Sequence, residues 1–147
     1  MDVVDSATRS RMMSGIRGSN TTLEVRIRSA LHRQGFRYRL HVRNLPGKPD
    51  MVFPRHNAVI FVHGCFWHGH DCPLFKWPST RPEFWRNKIG RNQDNDQRVR
   101  TALVADGWRV GVVWECAIRG AGKDLEIIAK RLGRWLRSKT QLLEERG

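Results

Sequence analysis

The spacing of apolar residues along the chain changes from segment to segment. Leu23, Ile27, Ala30 and Leu31 recur at helical intervals and stop at Gly35, and Thr21-Thr-Leu-Glu24 ahead of them reads as a capping box. Phe36-Arg-Tyr-Arg-Leu-His-Val42 alternates apolar and polar residues, which predicts a half-buried strand, and Asn44-Leu-Pro-Gly47 predicts a turn. Asp50-Met-Val-Phe53 and Ala58-Val-Ile-Phe-Val62 are short apolar runs joined tightly through Pro54 to Asn57, as two strands would be. Residues 64–82 have little periodicity. A helix is expected from about Pro82 to Asp106, with Gly90 the place where it would break. Trp108-Arg-Val-Gly-Val-Val-Trp114 is nearly apolar on both faces and is expected at the centre of a sheet. Leu125, Ile128, Leu132, Trp135 and Leu136 mark a final amphipathic helix. The order helix, three strands, long loop, helix, strand, helix predicts an α/β architecture with a mixed sheet flanked by helices.

Length and charge narrow this reading. A chain of 147 residues can build one domain with a real core. We expect that domain over residues 21–137, preceded by a polar basic arm at 1–20 and followed by a charged tail at 138–147. The formal net charge is +13, and it is unevenly spread. Between Ser6 and Gln93 there are sixteen Lys and Arg residues against four acids, Glu24, Asp50, Asp71 and Glu83. A basic face alone can serve solubility, but this imbalance points to a polyanionic partner, DNA above all. Arg9 and Arg11 in the arm, and Lys88 and Arg91 further along, are candidate DNA contacts. No apolar run is long enough to span a bilayer, and the first ten residues hold no signal-peptide core. The three cysteines are too odd a count for a disulfide framework. A cytoplasmic protein without a membrane partner is expected.

The cysteines suggest a metal instead. Cys65, His70 and Cys72 fall within eight residues, and Cys116 follows the apolar strand by two residues, where a strand end could deliver it to the loop. Four such ligands in a closed shell are what one structural Zn²⁺ requires. The loop is poor in aliphatic side chains, so a metal would replace its missing core. The plainer alternative is buried free thiols. Spacing alone also leaves His68 open as a ligand in place of His70.

The stretch from Phe61 to Cys72, Phe-Val-His-Gly-Cys-Phe-Trp-His-Gly-His-Asp-Cys, joins this cluster to an acid at Asp50. An acid after proline, opening one strand shortly before another, resembles the core of restriction-like nucleases, although the usual second acid and lysine are replaced by Val62 and His63. The whole stretch resembles the signature of the very short patch repair (Vsr) mismatch endonucleases. Ala7-Thr-Arg-Ser10, Leu45-Pro-Gly-Lys-Pro-Asp50, Thr80-Arg-Pro-Glu-Phe-Trp85, Lys88-Ile-Gly-Arg-Asn92, Gly107-Trp-Arg-Val110 and Val113-Trp-Glu-Cys116 extend the resemblance over about residues 7 to 137. It implies a restriction-endonuclease-like three-layer core with a structural zinc site. It also implies a magnesium-dependent enzyme that nicks duplex DNA 5′ to the thymine of T:G mismatches left by 5-methylcytosine deamination. Bacterial mismatch-repair and short-patch synthesis proteins are the implied partners.

The resemblance also implies roles. Asp50 and the Val62 backbone carbonyl would hold two Mg²⁺ ions, and His68 would be the general base. Glu24 would orient that imidazole or a water, while His63 and Asp96 would act near the leaving group. Cys65, His70, Cys72 and Cys116 match the zinc ligands. Phe66, Trp67 and Trp85 match the aromatics that wedge into the base stack. Glu24 has the alternative of closing the capping box, and Trp85 that of helix packing. The chemistry is sound in itself, since hard divalent ions neutralise a pentavalent phosphorus and an ordinary imidazole exchanges protons near neutrality. Two rival functions share these features: a restriction- or defence-associated nickase with another target, and a zinc-stabilised DNA-binding protein without catalysis.

Overall fold

The computed structural model describes residues 22–40, 42–119 and 125–146. A first helix, α1, covers residues 22–33. It is followed by β1 (Met51–Phe53), a 3₁₀ turn (Pro54–His56) and β2 (Ala58–His63). Next come α2 (Pro82–Ala105), β3 (Arg109–Trp114), the single turn α3 (Glu115–Ile118), α4 (Leu125–Arg137) and β4 (Leu142–Glu145). The strands form one mixed sheet in the order β1-β2-β3-β4. β1 runs antiparallel to β2, while β2, β3 and β4 are parallel.

The strands are apolar because both faces of the sheet are covered. Met51, Phe53, Ala58, Ile60, Val62 and Val113 point to one side, where they pack with Leu23, Ile27 and Leu31 of α1 and Ile128, Leu132, Trp135 and Leu136 of α4. Val52, Val59, Phe61, Val110, Val112 and Trp114 point to the other, against Leu103 of α2 and against Cys65 and Cys116. Helices therefore lie on both faces. Gly111 belongs to the first face and makes room for Trp135, since a Cβ there would lie 2.9 Å from the indole Cζ3. Arg109 ties this layer together by donating to the carbonyls of His56 (2.9 Å), Trp135 (2.9 Å) and Leu136 (2.8 Å).

The sheet, its central apolar strand and the buried stripes of α1 and α4 follow the sequence pattern. Three elements depart from it. Among the described residues, the alternating stretch expected as a strand over 36–42 yields only an isolated bridge between Arg39 and Val52, and the sheet has two strands before the loop, not three. Gly90 does not break α2, which runs unbroken for 24 residues; the polar grip of Asn92, Gln93 and Asp96 on the preceding loop anchors the helix beyond it. Residues 138–147, expected as a tail, contain β4, whose four residues pair with β3 from Val110 to Val113.

Candidate active site

The C-terminal end of β2, the loop after it and one face of α2 meet around a cavity of about 390 Å³ lined by Asp50, Val62, His63, His68, Asp96 and Arg100, among others. Asp50 directly precedes β1, and its Oδ2 accepts the Val62 backbone N–H at 2.6 Å. That bond ties the carboxylate to the neighbouring strand. Burial raises the Asp50 pKa from the ordinary 3.8 to about 7; the Val62 N–H and His68 oppose the rise and Glu24 adds to it. A carboxylate so poorly compensated is short of positive charge, and a hard divalent cation would supply it. Lys48, two residues before Asp50, lines the same cavity.

Across the cavity His68 Nδ1 meets Asp96 Oδ2 at 2.5 Å, which leaves the other ring nitrogen for chemistry. The His63 ring stacks on His68 with centroids 3.9 Å apart and planes 6° from parallel. Burial first, and the neighbouring His68 next, lower the His63 pKa to about 3, so this imidazole is neutral at physiological pH. Its Nδ1 is buried and has no hydrogen-bond partner among the described residues.

His63, His68 and Asp96 bring their ligand atoms within 4.8 Å of one another, but they do not form a metal site as placed. Stacked rings 3.9 Å apart keep their in-plane lone pairs in two nearly parallel planes that do not meet at one point. An ion about 2 Å from both nitrogens would sit far out of both ring planes. The pair is better suited to proton transfer at His68, with His63 as the surface that fixes its plane.

The loop is held by α2. Asn92 Nδ2 donates to the Trp67 carbonyl at 2.8 Å and Gln93 Nε2 to the Gly69 carbonyl at 3.1 Å. With Asp96 on His68, these residues occupy one helix face at spacings of one and three or four. Gly69 has φ +59°, and a Cβ there would lie 2.5 Å from Gln93 Nε2 and 2.6 Å from Ile89 Cγ2. Only glycine lets the loop turn this close to the helix.

On the far side of the loop Cys65, His70, Cys72 and Cys116 gather their ligand atoms within 4.8 Å of one another. The single turn α3, directly after β3, carries Cys116 to the loop as expected from its place in the sequence. Cys65 Sγ and Cys116 Sγ lie 3.6 and 3.4 Å from His70 Nδ1. A tetrahedral ion with bonds of about 2.3 Å to sulfur and 2.0 Å to nitrogen would hold such atoms about 3.5 Å apart, so the donor set fits one. Burial pushes the Cys65 thiol well above its ordinary range, so the thiolate form needs a cation. Glu115, itself buried, accepts the Cys65 N–H at 3.2 Å and pairs with Arg119.

Phe66 and Trp67 project from the same loop toward Trp85 in the first turns of α2, with Phe66 to Trp67 centroids 5.2 Å apart and Phe66 to Trp85 5.3 Å. Phe75 continues the group at 5.9 Å from Phe66, and Trp77, 55% exposed, lies 4.9 Å beyond it. The structure thus brings Asp50, Val62, His63, His68 and Asp96 around one cavity, and Phe66, Trp67 and Trp85 into one cluster. Glu24, with Arg43, Lys48 and Asp50, lines an adjoining cavity of about 550 Å³. Lys88 is half-buried on α2, and Arg91 is exposed and lines a groove with Asp94, Gln97 and Arg98. Arg9 and Arg11 lie outside the described residues. Sequence reasoning did not single out Asn92, Gln93, Arg100 or Glu115 individually; their helical spacing relative to Asp96, and the position of Glu115 beside Cys116, were the available signals.

Comparison with known proteins fits this geometry. A family model described as "DNA mismatch endonuclease Vsr" matches residues 1–74. The protein named DNA mismatch endonuclease Vsr from Escherichia coli is 48% identical over 136 residues, covering 92% of this chain and 87% of that protein. The type II nicking enzyme V.XorIIP from Xanthomonas oryzae pv. oryzae is 47% identical over 121 residues, 82% of this chain and 89% of that protein. The type II nicking enzyme V.NmeAIP from Neisseria meningitidis is 39% identical over 136 residues, 92% and 94%.

Proposed function

The chain belongs to the Vsr family of DNA mismatch endonucleases and is a DNA endonuclease, and from that premise we propose that it nicks duplex DNA 5′ to the thymine of a T:G mismatch, with magnesium as catalytic metal. The observation that carries this reading is the single cavity in which a cation-poor carboxylate, Asp50, faces the His68–Asp96 pair. The mixed sheet with helices on both faces supports a restriction-endonuclease-like core. The Cys65, His70, Cys72 and Cys116 set supports one structural Zn²⁺. No helix among the described residues is long and apolar enough to cross a membrane, and the bacterial cytoplasm is the proposed site of action.

In the mechanism, Asp50 and the Val62 carbonyl would hold magnesium, which when bound offsets the negative charge on the scissile phosphate. Asp96 accepts a hydrogen bond from the His68 Nδ1–H and so fixes the tautomer, leaving Nε2 to take the proton of the attacking water. His63, neutral and stacked, keeps that imidazole plane in register with the cavity. Glu24 adds negative charge beside Asp50 and favours cation binding there. Phe66, Trp67 and Trp85 test the base stack at the lesion, where unstacking costs a few kcal/mol and least at a weakened step. Lys88, Arg91, Arg9 and Arg11 contribute phosphate contacts, with the salt dependence such contacts bring.

A second reading rests on the relatives named as type II nicking enzymes: the same hydrolysis directed by another feature of the duplex. Matched sets of end-labelled duplexes with T:G, T:A and C:G at one position, incubated with magnesium, separate the two. Cutting confined to T:G supports the mismatch reading, and equal cutting of all three supports the second.

A further inference from the structure

The C-terminal strand reaches into the site. In the parallel register of β3 and β4, Glu144 stands opposite Val112. Paired residues in a sheet share a face, so Glu144 projects to the side that carries Val112 and Trp114, and its Oε2 accepts the Trp114 indole N–H at 3.1 Å. Among the ring contacts of the described residues, those of Trp114 reach both candidate centres. Its ring stacks on His70 of the Cys/His cluster with centroids 3.9 Å apart and planes 8° from parallel. Its edge meets His63 at 5.1 Å and 75°, and His68 at 6.0 Å and 78°. Glu144 and Trp114 also line a cavity of about 220 Å³ with His63, His68 and Asp96. Two residues further on, just past β4, Arg146 holds Asp71 through its carboxylate (2.7 Å) and its carbonyl (2.9 Å). β4 and the residue after it therefore grip the ring and the loop at two points.

We propose that Glu144 is a positioning residue: by fixing the Trp114 indole it sets the planes of His63, His68 and His70 together and so couples the Cys/His cluster to the proton-transfer pair. This rests on the hydrolytic reading of His68, but its geometry does not depend on which duplex is cut. The hydrogen bond is the operative contact. An indole that has lost it can tilt within its stack, and the two edge contacts move with it.

The test compares Glu144→Leu, Glu144→Gln and Trp114→Phe in the metal-replete protein. The readouts are the ring ¹H–¹³C resonances of the histidines, zinc content, thermal midpoint and single-turnover nicking of a T:G duplex. Glu144→Leu is expected to shift the His63, His68 and His70 ring resonances and lower kcat about fivefold, with KM, zinc content and thermal midpoint unchanged. Glu144→Gln retains an acceptor and is expected to match the wild type. Trp114→Phe keeps a ring but no N–H and should reproduce Glu144→Leu, with the double variant no worse than either. Unmoved ring resonances in Glu144→Leu would overturn the proposal, as would a kcat loss that simply follows loss of zinc. If the wild type nicks no duplex, the proposed function falls, while the ring resonances still decide the role of Glu144.

Discussion

Replacing Asp50 with Asn should abolish cleavage and at the same time make the magnesium-free protein more stable. Burial raises the Asp50 pKa from 3.8 to about 7, so the folded state holds its proton more tightly than the unfolded chain does. Below pH 3.8 both states are protonated and the group carries no penalty. As pH rises from there to 7, only the unfolded chain releases the proton and stability falls. Above 7 both are ionised and the loss is complete. At about 1.4 kcal/mol per pH unit the full difference is roughly 4 kcal/mol, of which roughly 1.5 is already felt at pH 5. Asn keeps an oxygen for the Val62 N–H and removes the charge. The thermal midpoint of Asp50→Asn should therefore exceed that of the wild type by up to about 10 °C at pH 8, with a gap about half as large or less at pH 5. Melts in magnesium-free buffer that leaves the Cys/His metal in place provide the assay. Saturating magnesium, which binds the folded wild type, should narrow the gap at pH 8. A variant no more stable than wild type at pH 8, or a gap that does not change with pH, would refute the reasoning that this carboxylate lacks a cation.

Three further outcomes are expected. Asp96→Asn removes the charge that holds His68 Nδ1 and should lower kcat about 10²- to 10⁴-fold with KM little changed, as measured by single-turnover nicking. Gly69→Ala forces a Cβ against Gln93 and Ile89 at a left-handed φ; it should cost about 1–3 kcal/mol in denaturant unfolding and disturb His68 next to it. Cys116→Ser should reduce bound zinc from one equivalent to well below one. It should also strip amide-exchange protection from residues 64–77, whereas magnesium removal leaves that protection intact.

Much of this fold is legible in apolar spacing because its elements are covered where the pattern says they should be. The stripe at Leu23, Ile27, Ala30 and Leu31 is buried, and β3 is apolar on both sides because layers lie on both sides. β4 is not legible, since Leu142-Leu-Glu-Glu145 has no alternation to speak of and becomes a strand only through the open edge of β3. Residues 36–42 show the converse: alternation without a partner long enough to pair gives a bridge and no more. At the site, ligand chemistry marks Cys65 and Cys72 with either His68 or His70, the position of Cys116 after an apolar strand brings it to them, and the folded loop groups His70 with the three cysteines. The contact between His68 and Asp96 crosses 28 residues and depends on α2 folding back over the loop. The double role of Trp114, core residue and platform for His70, depends on a loop conformation that no local pattern encodes.

The central claim is that Asp50 and His68 cooperate at one phosphodiester beside a T:G mismatch. Its most direct test is single-turnover cleavage of an end-labelled T:G duplex in magnesium by wild type, Asp50→Ala and His68→Ala, with duplex binding measured in parallel. The expected result is one nick 5′ to the mismatched thymine by the wild type, and none by either variant while both still bind. Wild-type nicking by Asp50→Ala would contradict it.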